Sequence, residues 1–386
     1  MDKSIGIILY SNPDYYPPTI NAIWLLQKKY KVIIFSRNAG AIIHSYESNT
    51  LCYRFGNNTS VVKSEKKNLL SKLIEYFLFI AKTVFYANRH NCKVIIVYDS
   101  YALIAAFILK WLNPKIKIFY HEHEVTSLDK NKKSSLSYWI KKVAYKNLSR
   151  CYWISQPDIK RVEIFQKHFN VSNVKLIRNF ALKGYNYPSQ QNTLCKEYKN
   201  EGYIIVGYIG TLGKGFYIDE LIKYVESTQI KLLVVMAGAV RDENLSIKLE
   251  ELTYKNPIGK IIHLDFLPAE EKYNLLNSID FGLVLYSFEK GGVIEMSAGS
   301  SNKVGEYLAF GKPIIYPEWW DYESYYKEIG LSYKDSGELV QRIEQLASDT
   351  SLRDKLSENA KKLFNEKINF ESEFEEMERM IDECSK

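Results

Sequence analysis

Two stretches of this 386-residue sequence carry side chains whose types and spacing can do chemistry. The first is His121-Glu122-His123-Glu124, at the end of the apolar run Ile116–Tyr120. Imidazole and carboxylate are both zinc ligands. On an extended segment, however, alternate residues point to opposite sides, so the two histidines share one side and the two glutamates the other. A single metal would need further ligands from elsewhere, and the chain holds only 6 His. No catalytic metal is expected. The 5 Cys, at 52, 92, 151, 195 and 384, are odd in number and widely spaced, with no CxxC. They read as reduced core thiols rather than as a disulfide framework or a zinc site.

The second stretch is Gly210-Thr211-Leu212-Gly213-Lys214-Gly215, which follows the strand-like run Tyr203–Ile209 and precedes a helical pattern. Glycines in such a turn let backbone N–H groups approach a phosphate, the helix N-terminus adds partial positive charge, and Lys214 adds a full one. The run matches neither GxxxxGK[ST] nor GxGxxG, which argues against a Walker loop and against a nicotinamide site. The same glycines also suit a strand–helix turn with no ligand. Further on stands Ser300-Ser301-Asn302-Lys303-Val304-Gly305-Glu306-Tyr307-Leu308-Ala309-Phe310-Gly311-Lys312-Pro313-Ile314-Ile315. The serines and Asn302 offer an N-cap, and Gly311 and Pro313 halt the helix that starts at Lys303. Glu306 is expected in the first turn of that helix. There a carboxylate either accepts two ribose hydroxyls or complements the helix dipole.

The elements that must position these residues alternate. Strand-like runs are Ile5–Tyr10, Val32–Phe35, Val94–Tyr98 and Ile116–Tyr120, then Tyr203–Ile209, Lys231–Met236, Ile261–Leu264 and Phe281–Leu285, with helical patterns between. Continuous Val- and Ile-rich strands separated by helices indicate parallel sheets covered on both faces. The pattern restarts near residue 203, after the polar stretch 183–202. We therefore expect an α/β chain of two Rossmann-like domains, 1–185 and 203–386, the second ending in amphipathic helices.

Residues 1–185 carry 29 Lys and Arg against 11 Asp and Glu, a balance of +18, so the remainder carries −11 of the chain's total of +7. The basic half is expected to face something anionic. The segments 66–89 and Asp129–Arg150 interleave Lys with Trp, Tyr, Phe and Leu, which suits an anionic membrane surface reached by salt-sensitive attachment. A solvated helix face is the plain alternative. Nucleic acid competes as a partner, but no binding motif accompanies the charge, and none is expected. The apolar stretches Tyr76–Tyr86 and Tyr101–Leu112 each contain a lysine and fall short of the ~20 residues that span a bilayer. The N-terminus lacks the features of a signal peptide. A cytoplasmic protein, peripheral on the inner face of the membrane, is expected.

Taken together, these residues resemble the family 4 retaining glycosyltransferases of GT-B fold, in which two Rossmann-like domains face a cleft. SSNKVGEYLAFGKPII resembles that family's ribose-binding helix and following strand, IDFGLVLYS the strand before its donor loop, and YIGTLGKGF its first phosphate loop. The resemblance implies transfer of a sugar from a UDP- or GDP-sugar with retention, no bound metal or other cofactor, and a lipid-linked glycan acceptor in surface polysaccharide synthesis. It implies donor contacts at Gly210, Thr211, Lys214, Asn302, Lys303 and Glu306. It places His123, with Glu124 beside it, at the transferred sugar, and acceptor contacts at Asn12 and Thr19. Asp99 follows another strand and either points toward the acceptor or caps the next helix. The sequence departs from the family where a first glutamate usually stands, since Ala298 occupies that position and Glu295 lies near it. An Arg usual in the phosphate loop is also missing, with Thr211 and Leu212 in that region. These departures motivate an alternative, a non-catalytic subunit that binds a nucleotide sugar or scaffolds a glycan-assembly complex. A sugar-nucleotide epimerase is a third reading.

Overall fold

The computed structural model describes residues 4–41, 44–58, 68–123, 135–187, 190–213, 215–252, 258–288 and 296–385. Glu124, Lys214 and Glu295, singled out above, lie outside the described residues. The chain divides into two compact units, Met1–Asn179 with Phe370–Lys386, and Phe180–Asn369.

The first unit is built on a seven-stranded sheet. Its strands are β1 (Ser4–Leu9), β2 (Lys31–Arg37), β3 (Thr50–Phe55), β4 (Val94–Tyr98), β5 (Lys117–His121), β6 (Trp153–Gln156) and β7 (Val174–Leu176), in the order β3-β2-β1-β4-β5-β6-β7. All pairings are parallel; Ile5, for example, is opposite both Val32 and Val94. Every residue of β4, VIIVY, is buried, as expected for a central strand covered on both faces.

The second unit has six parallel strands: β8 (Ile204–Ile209), β9 (Leu232–Ala237), β10 (Gly259–Leu264), β11 (Phe281–Leu283), β12 (Ile314–Pro317) and β13 (Gly330–Tyr333), in the order β10-β9-β8-β11-β12-β13. All six residues of β9, LLVVMA, are buried. Removing each Leu, Val or Met side chain of this strand from water contributes about 1.5–3 kcal/mol. The two-domain α/β fold read from the sequence is the one observed.

The boundaries differ from those expected. The stretch 183–202 belongs to the second unit, where the helix Thr193–Asn200 puts Cys195 into the core. The last helix, Phe370–Cys384, belongs to the first unit rather than the second. Its Phe370, Phe374, Met377 and Ile381 are buried, and its acids meet basic residues of the first unit: Lys29 Nζ lies 2.8 Å from Glu378, Lys175 Nζ lies 2.7 Å from Glu376, and Arg178 pairs with Glu373. The charge split is correspondingly milder than the halves imply. Residues 1–179 carry +17 and 370–386 carry −5, so the first unit is +12 and the second −5.

In each sheet the strand order reverses beside the first strand, between β1 and β4 and between β8 and β11. Open parallel sheets bind ligands beyond the carboxyl ends of their strands at such a point.

Candidate functional site

In the first unit, β1 and β4 deliver Ser11 and Asp99 to the reversal, and β5 runs on to His123. Asp99 has φ +63° and ψ 156°, a conformation that strains a non-glycine residue. Its side chain makes no cap bond to the helix Ser100–Leu112 that follows. Instead its carboxylate accepts from the His123 backbone N–H at 3.0 Å and faces His123 Nδ1 at 3.2 Å. Burial raises the Asp99 carboxyl, but His123 outweighs it and holds the group below the ordinary carboxylate value.

The His123 ring is stacked between Tyr16 and Tyr98, with both centroid distances 4.8 Å. Its Nε2 lies 3.1 Å from Thr19 Oγ1, and Arg161 donates to its backbone carbonyl at 2.9 Å. With Asp99 on Nδ1, the tautomer that satisfies the network carries its proton there and presents Nε2 to Thr19. Beside this arrangement opens a cavity of about 230 Å³, lined among others by Ser11, Tyr16, Asp99, Tyr101, Glu122 and Lys141. Tyr120 and Tyr145 donate their phenol hydroxyls to the buried Glu122, the second at 2.7 Å. Asp99, 28% exposed at its side chain, is the acid that joins His123 to the cavity.

Two residues expected at the acceptor, Asn12 and Thr19, do not line this cavity. Asn12 is buried, and both ends of its amide are engaged. Its Nδ2 donates to the Ala41 carbonyl at 2.8 Å, and its Oδ1 accepts from Arg54 at 2.6 Å and from the Asp14 N–H. Thr19 has no exposed surface, and its hydroxyl meets His123. Both therefore shape the site without lining its cavity.

His121 is buried, with Nδ1 3.0 Å from Ser155 Oγ, and no partner of its Nε2 is found among the described residues. Burial, reinforced by His123, pushes its pKa down to about 3. The unfolded chain takes up this proton below the ordinary value of about 6.5 and the folded chain does not. Stability is therefore lost as pH falls through that window, by about 1.4 kcal/mol per unit. We expect wild type to lose about 2 kcal/mol more than His121→Gln between pH 6.5 and pH 5, read by thermal melts at both values. Parallel losses in the two proteins would mean that His121 does not contribute.

In the second unit, β8 leads into Gly210, whose φ of +143° suits glycine, and whose N–H donates to the Ala237 carbonyl at 2.9 Å. A Cβ at Gly210 would lie 3.1 Å from Lys303 Nζ. Lys303 reaches this turn from the short helix Asn302–Ala309. Tyr307, on the same helix, fixes it against the sheet, accepting from the Ile209 N–H at 3.1 Å and donating to the Gly207 carbonyl at 3.1 Å. Lys303 Nζ stands 4.6 Å from the Tyr208 ring centroid and 5.4 Å from that of Tyr286. Among the described residues it has no carboxylate partner. Burial opposes its charge, but the two tyrosines outweigh burial and hold the ammonium above the ordinary lysine value. Next to it the Asn302 Oδ1 is buried with no hydrogen-bond partner among the described residues.

Glu306 is the fifth residue of this helix, so it lies in the second turn, and no acid stands in the first. It is buried, and Lys272 from the helix Ala269–Ser278 donates to its Oε1. The dipole role considered for it is thereby displaced by an ion pair. Ala298 is fully buried, and its carbonyl accepts from Tyr326 at 2.7 Å. Thr211 accepts at its carbonyl from Tyr208 at 2.8 Å.

One cation here was not singled out in the sequence. Leu212 pairs with Val240 in an isolated parallel bridge, and Arg241 N–H donates to the Leu212 carbonyl at 2.9 Å. A Cβ at Gly213 would lie 3.9 Å from the Arg241 Cβ. Arg241 thus flanks the glycine loop that lacks an arginine of its own. Among the described residues no group of three or more His, Cys, Asp or Glu is placed to hold a metal, and no helix is long and apolar enough to cross a membrane.

Residues 221–379 match the model of a family described as glycosyl transferase-like. No curated protein matches the sequence. Among solved structures, sucrose-phosphate synthase from Thermosynechococcus elongatus is similar with a TM-score of 0.71 at 14% identity, covering 99% of this chain and 98% of that one. A glycosyltransferase from Rickettsia africae ESF-5 gives 0.71 at 13% identity, over 100% and 99% of the two chains. HepE from Anabaena in complex with UDP and glucose gives 0.67 at 14% identity, over 99% and 100%. At these identities the likeness establishes the fold, which is that of GT-B glycosyltransferases.

Proposed function

We propose that the chain is a glycosyltransferase that moves a sugar from a UDP- or GDP-sugar to a lipid-linked saccharide, with retention of configuration, at the cytoplasmic face of a membrane in surface polysaccharide synthesis. The observation that carries the reading is the constellation on one short helix of the second unit. An ammonium without a described carboxylate partner, Lys303, touches a positive-φ glycine turn, and a buried carboxylate, Glu306, lies one turn further on. A half-buried ammonium in that position suits a diphosphate, and the carboxylate suits a ribose. The family match over residues 221–379 and the UDP bound by HepE support the same reading.

In this reading Gly210, Thr211, Lys214, Asn302 and Lys303 hold the diphosphate, and Glu306 accepts the ribose hydroxyls through the oxygen not held by Lys272. His123, with Glu124 beside it, serves the transferred sugar. Asp99 fixes the imidazole, and Nε2 exchanges Thr19 for a sugar hydroxyl. The cavity at Asp99 takes the acceptor. During transfer the bond from the sugar carbon to the phosphate oxygen breaks and the acceptor oxygen bonds to the same face of that carbon. The acceptor proton passes to the departing diphosphate, whose charge the lysines and loop amides stabilise.

A panel of nucleotide sugars tested by thermal shift identifies the donor, since a ligand at 100 times its Kd stabilises the fold by about 2.7 kcal/mol. Glu306→Gln is expected to weaken the responding nucleotide by roughly tenfold or more, because hydrogen bonds to a charged group are worth about 1.5–3 kcal/mol. Unchanged affinity would remove Glu306 from the site. The buried Ala298, where the family has a glutamate, favours a second reading as a non-catalytic nucleotide-sugar-binding subunit. Donor hydrolysis by the purified chain decides against that reading, and donor binding without turnover on any acceptor decides for it.

A further inference from the structure

The helix Leu69–Arg89 buries Tyr76, Phe79, Ile80, Thr83 and Ala87 against the first sheet. A helix at a protein surface normally presents polar residues on its other side. This one presents Leu70, Ile74, Phe77, Leu78, Ala81 and Phe85, spaced as one continuous outward stripe. Phe77 is 63% exposed and Leu70 67%. The helix is therefore apolar on both sides.

The exposure is regional. The helices Leu69–Arg89, Ser100–Leu112 and Leu136–Lys146 pack side by side, with the Tyr76 hydroxyl donating to the Tyr101 carbonyl. These three helices hold 10 of the 18 large hydrophobic side chains that are exposed among the described residues. They also hold seven Lys and Arg against one acid, Glu75, which is paired with Arg37 at 3.3 Å. On the third helix the outward positions are Trp139, Lys142, Val143 and Lys146, with Lys142 Nζ 4.8 Å from the Trp139 ring.

We propose that this face inserts into the interface of an anionic lipid bilayer, with the Leu70–Phe85 stripe and Trp139 in the acyl boundary and the lysines at the headgroups. Apolar rows with flanking cations, and an aromatic ring beside a lysine, are what an interfacial helix presents. A nucleic acid would use the lysines and leave the Leu, Ile and Phe stripe in water. A second copy docked on this face would set lysines against lysines. This deepens the membrane part of the reading above, and changes its character. Attachment through charge alone is lost in salt, whereas inserted side chains resist it.

The full chain is mixed with vesicles of phosphatidylcholine alone, or with about a third phosphatidylglycerol, and sedimented in low and in 1 M salt. Wild type is expected to sediment with the anionic vesicles, to keep a substantial bound fraction in 1 M salt, and to lose tryptophan fluorescence to brominated acyl chains. The triple variant Ile74→Ser, Phe77→Ser, Leu78→Ser changes only exposed positions and is expected to bind at least tenfold more weakly at both salt concentrations. Lys142→Glu with Lys146→Glu is expected to bind less at low salt, losing the salt-sensitive part, and to keep the salt-resistant share. Trp139→Phe is expected to remove most of the quenching. The proposal is overturned if wild type ignores anionic vesicles, if salt releases it completely, or if the triple variant binds like wild type. It is also overturned if the triple variant merely abolishes self-association of a chain that does not bind lipid. No sugar donor takes part, so a chain that docks without transferring sugar refutes the function and not this face.

Discussion

Replacing His123 with alanine is expected to lower kcat by roughly 100- to 1000-fold, the range for removing one preorganised group that stabilises developing charge. The Kd for the nucleotide should stay within about threefold, because no donor-binding residue is touched and the interaction is made mainly in the transition state. The structure sharpens the expectation. The imidazole is held by Tyr16, Tyr98, Asp99 and Thr19, so its orientation is fixed before any ligand arrives. Asp99→Asn keeps the size of the clamp and removes the charge that sets the tautomer, and should reproduce a large part of the kcat loss. His121→Ala should be milder, since His121 faces Ser155 and is buried apart from the cavity. Nucleotide affinity and kcat both at wild-type level in His123→Ala would assign this histidine to the fold alone.

Lys303→Met should weaken UDP or GDP by roughly 10- to 150-fold, equivalent to the about 1.5–3 kcal/mol of a hydrogen bond to a charged group. The corresponding nucleoside has no phosphate and should bind nearly as before. The melting temperature of the free protein should hold or rise. The substitution removes a half-buried ammonium that stabilises no described carboxylate, and methionine can occupy its place between Tyr208 and Tyr286. Equal losses for nucleotide and nucleoside, measured by calorimetry, would make Lys303 a structural residue. Arg241→Ala should cost less, because Arg241 is exposed and exposed charge pairs are worth about 0–1 kcal/mol.

How much of this was legible in the sequence depended on distance along the chain. Val94–Tyr98 and Leu232–Ala237 announce themselves because both faces are covered and every residue is apolar. Thr50–Phe55 does not, because it is an edge strand whose Thr, Tyr and Arg break the pattern. The helix carrying Lys303 and Glu306 was legible from its cap and stop, though it begins one residue earlier than expected, at Asn302. The ion pair of Glu306 with Lys272 was not, since 34 residues separate them. Arg241 was equally hidden, because its place beside Gly213 follows from the pairing of Leu212 with Val240. For Asn12 the loop and its turn residues could be read, but the Arg54 that occupies its amide oxygen could not.

The return of Phe370–Cys384 to the first unit bears on the order in which the protein can be made. Residues 180–369 form a continuous unit, so that unit can fold as soon as it has left the ribosome. The first unit, although synthesised first, is incomplete until its last helix emerges some 190 residues later. At about 5–20 residues per second that is an interval of roughly 10–40 s. During it the surface that will receive Phe370, Phe374 and Met377, which includes Pro18, Tyr98 and Ile177, stays uncovered. Of the two units, the one whose synthesis begins first is thus the later to be completed.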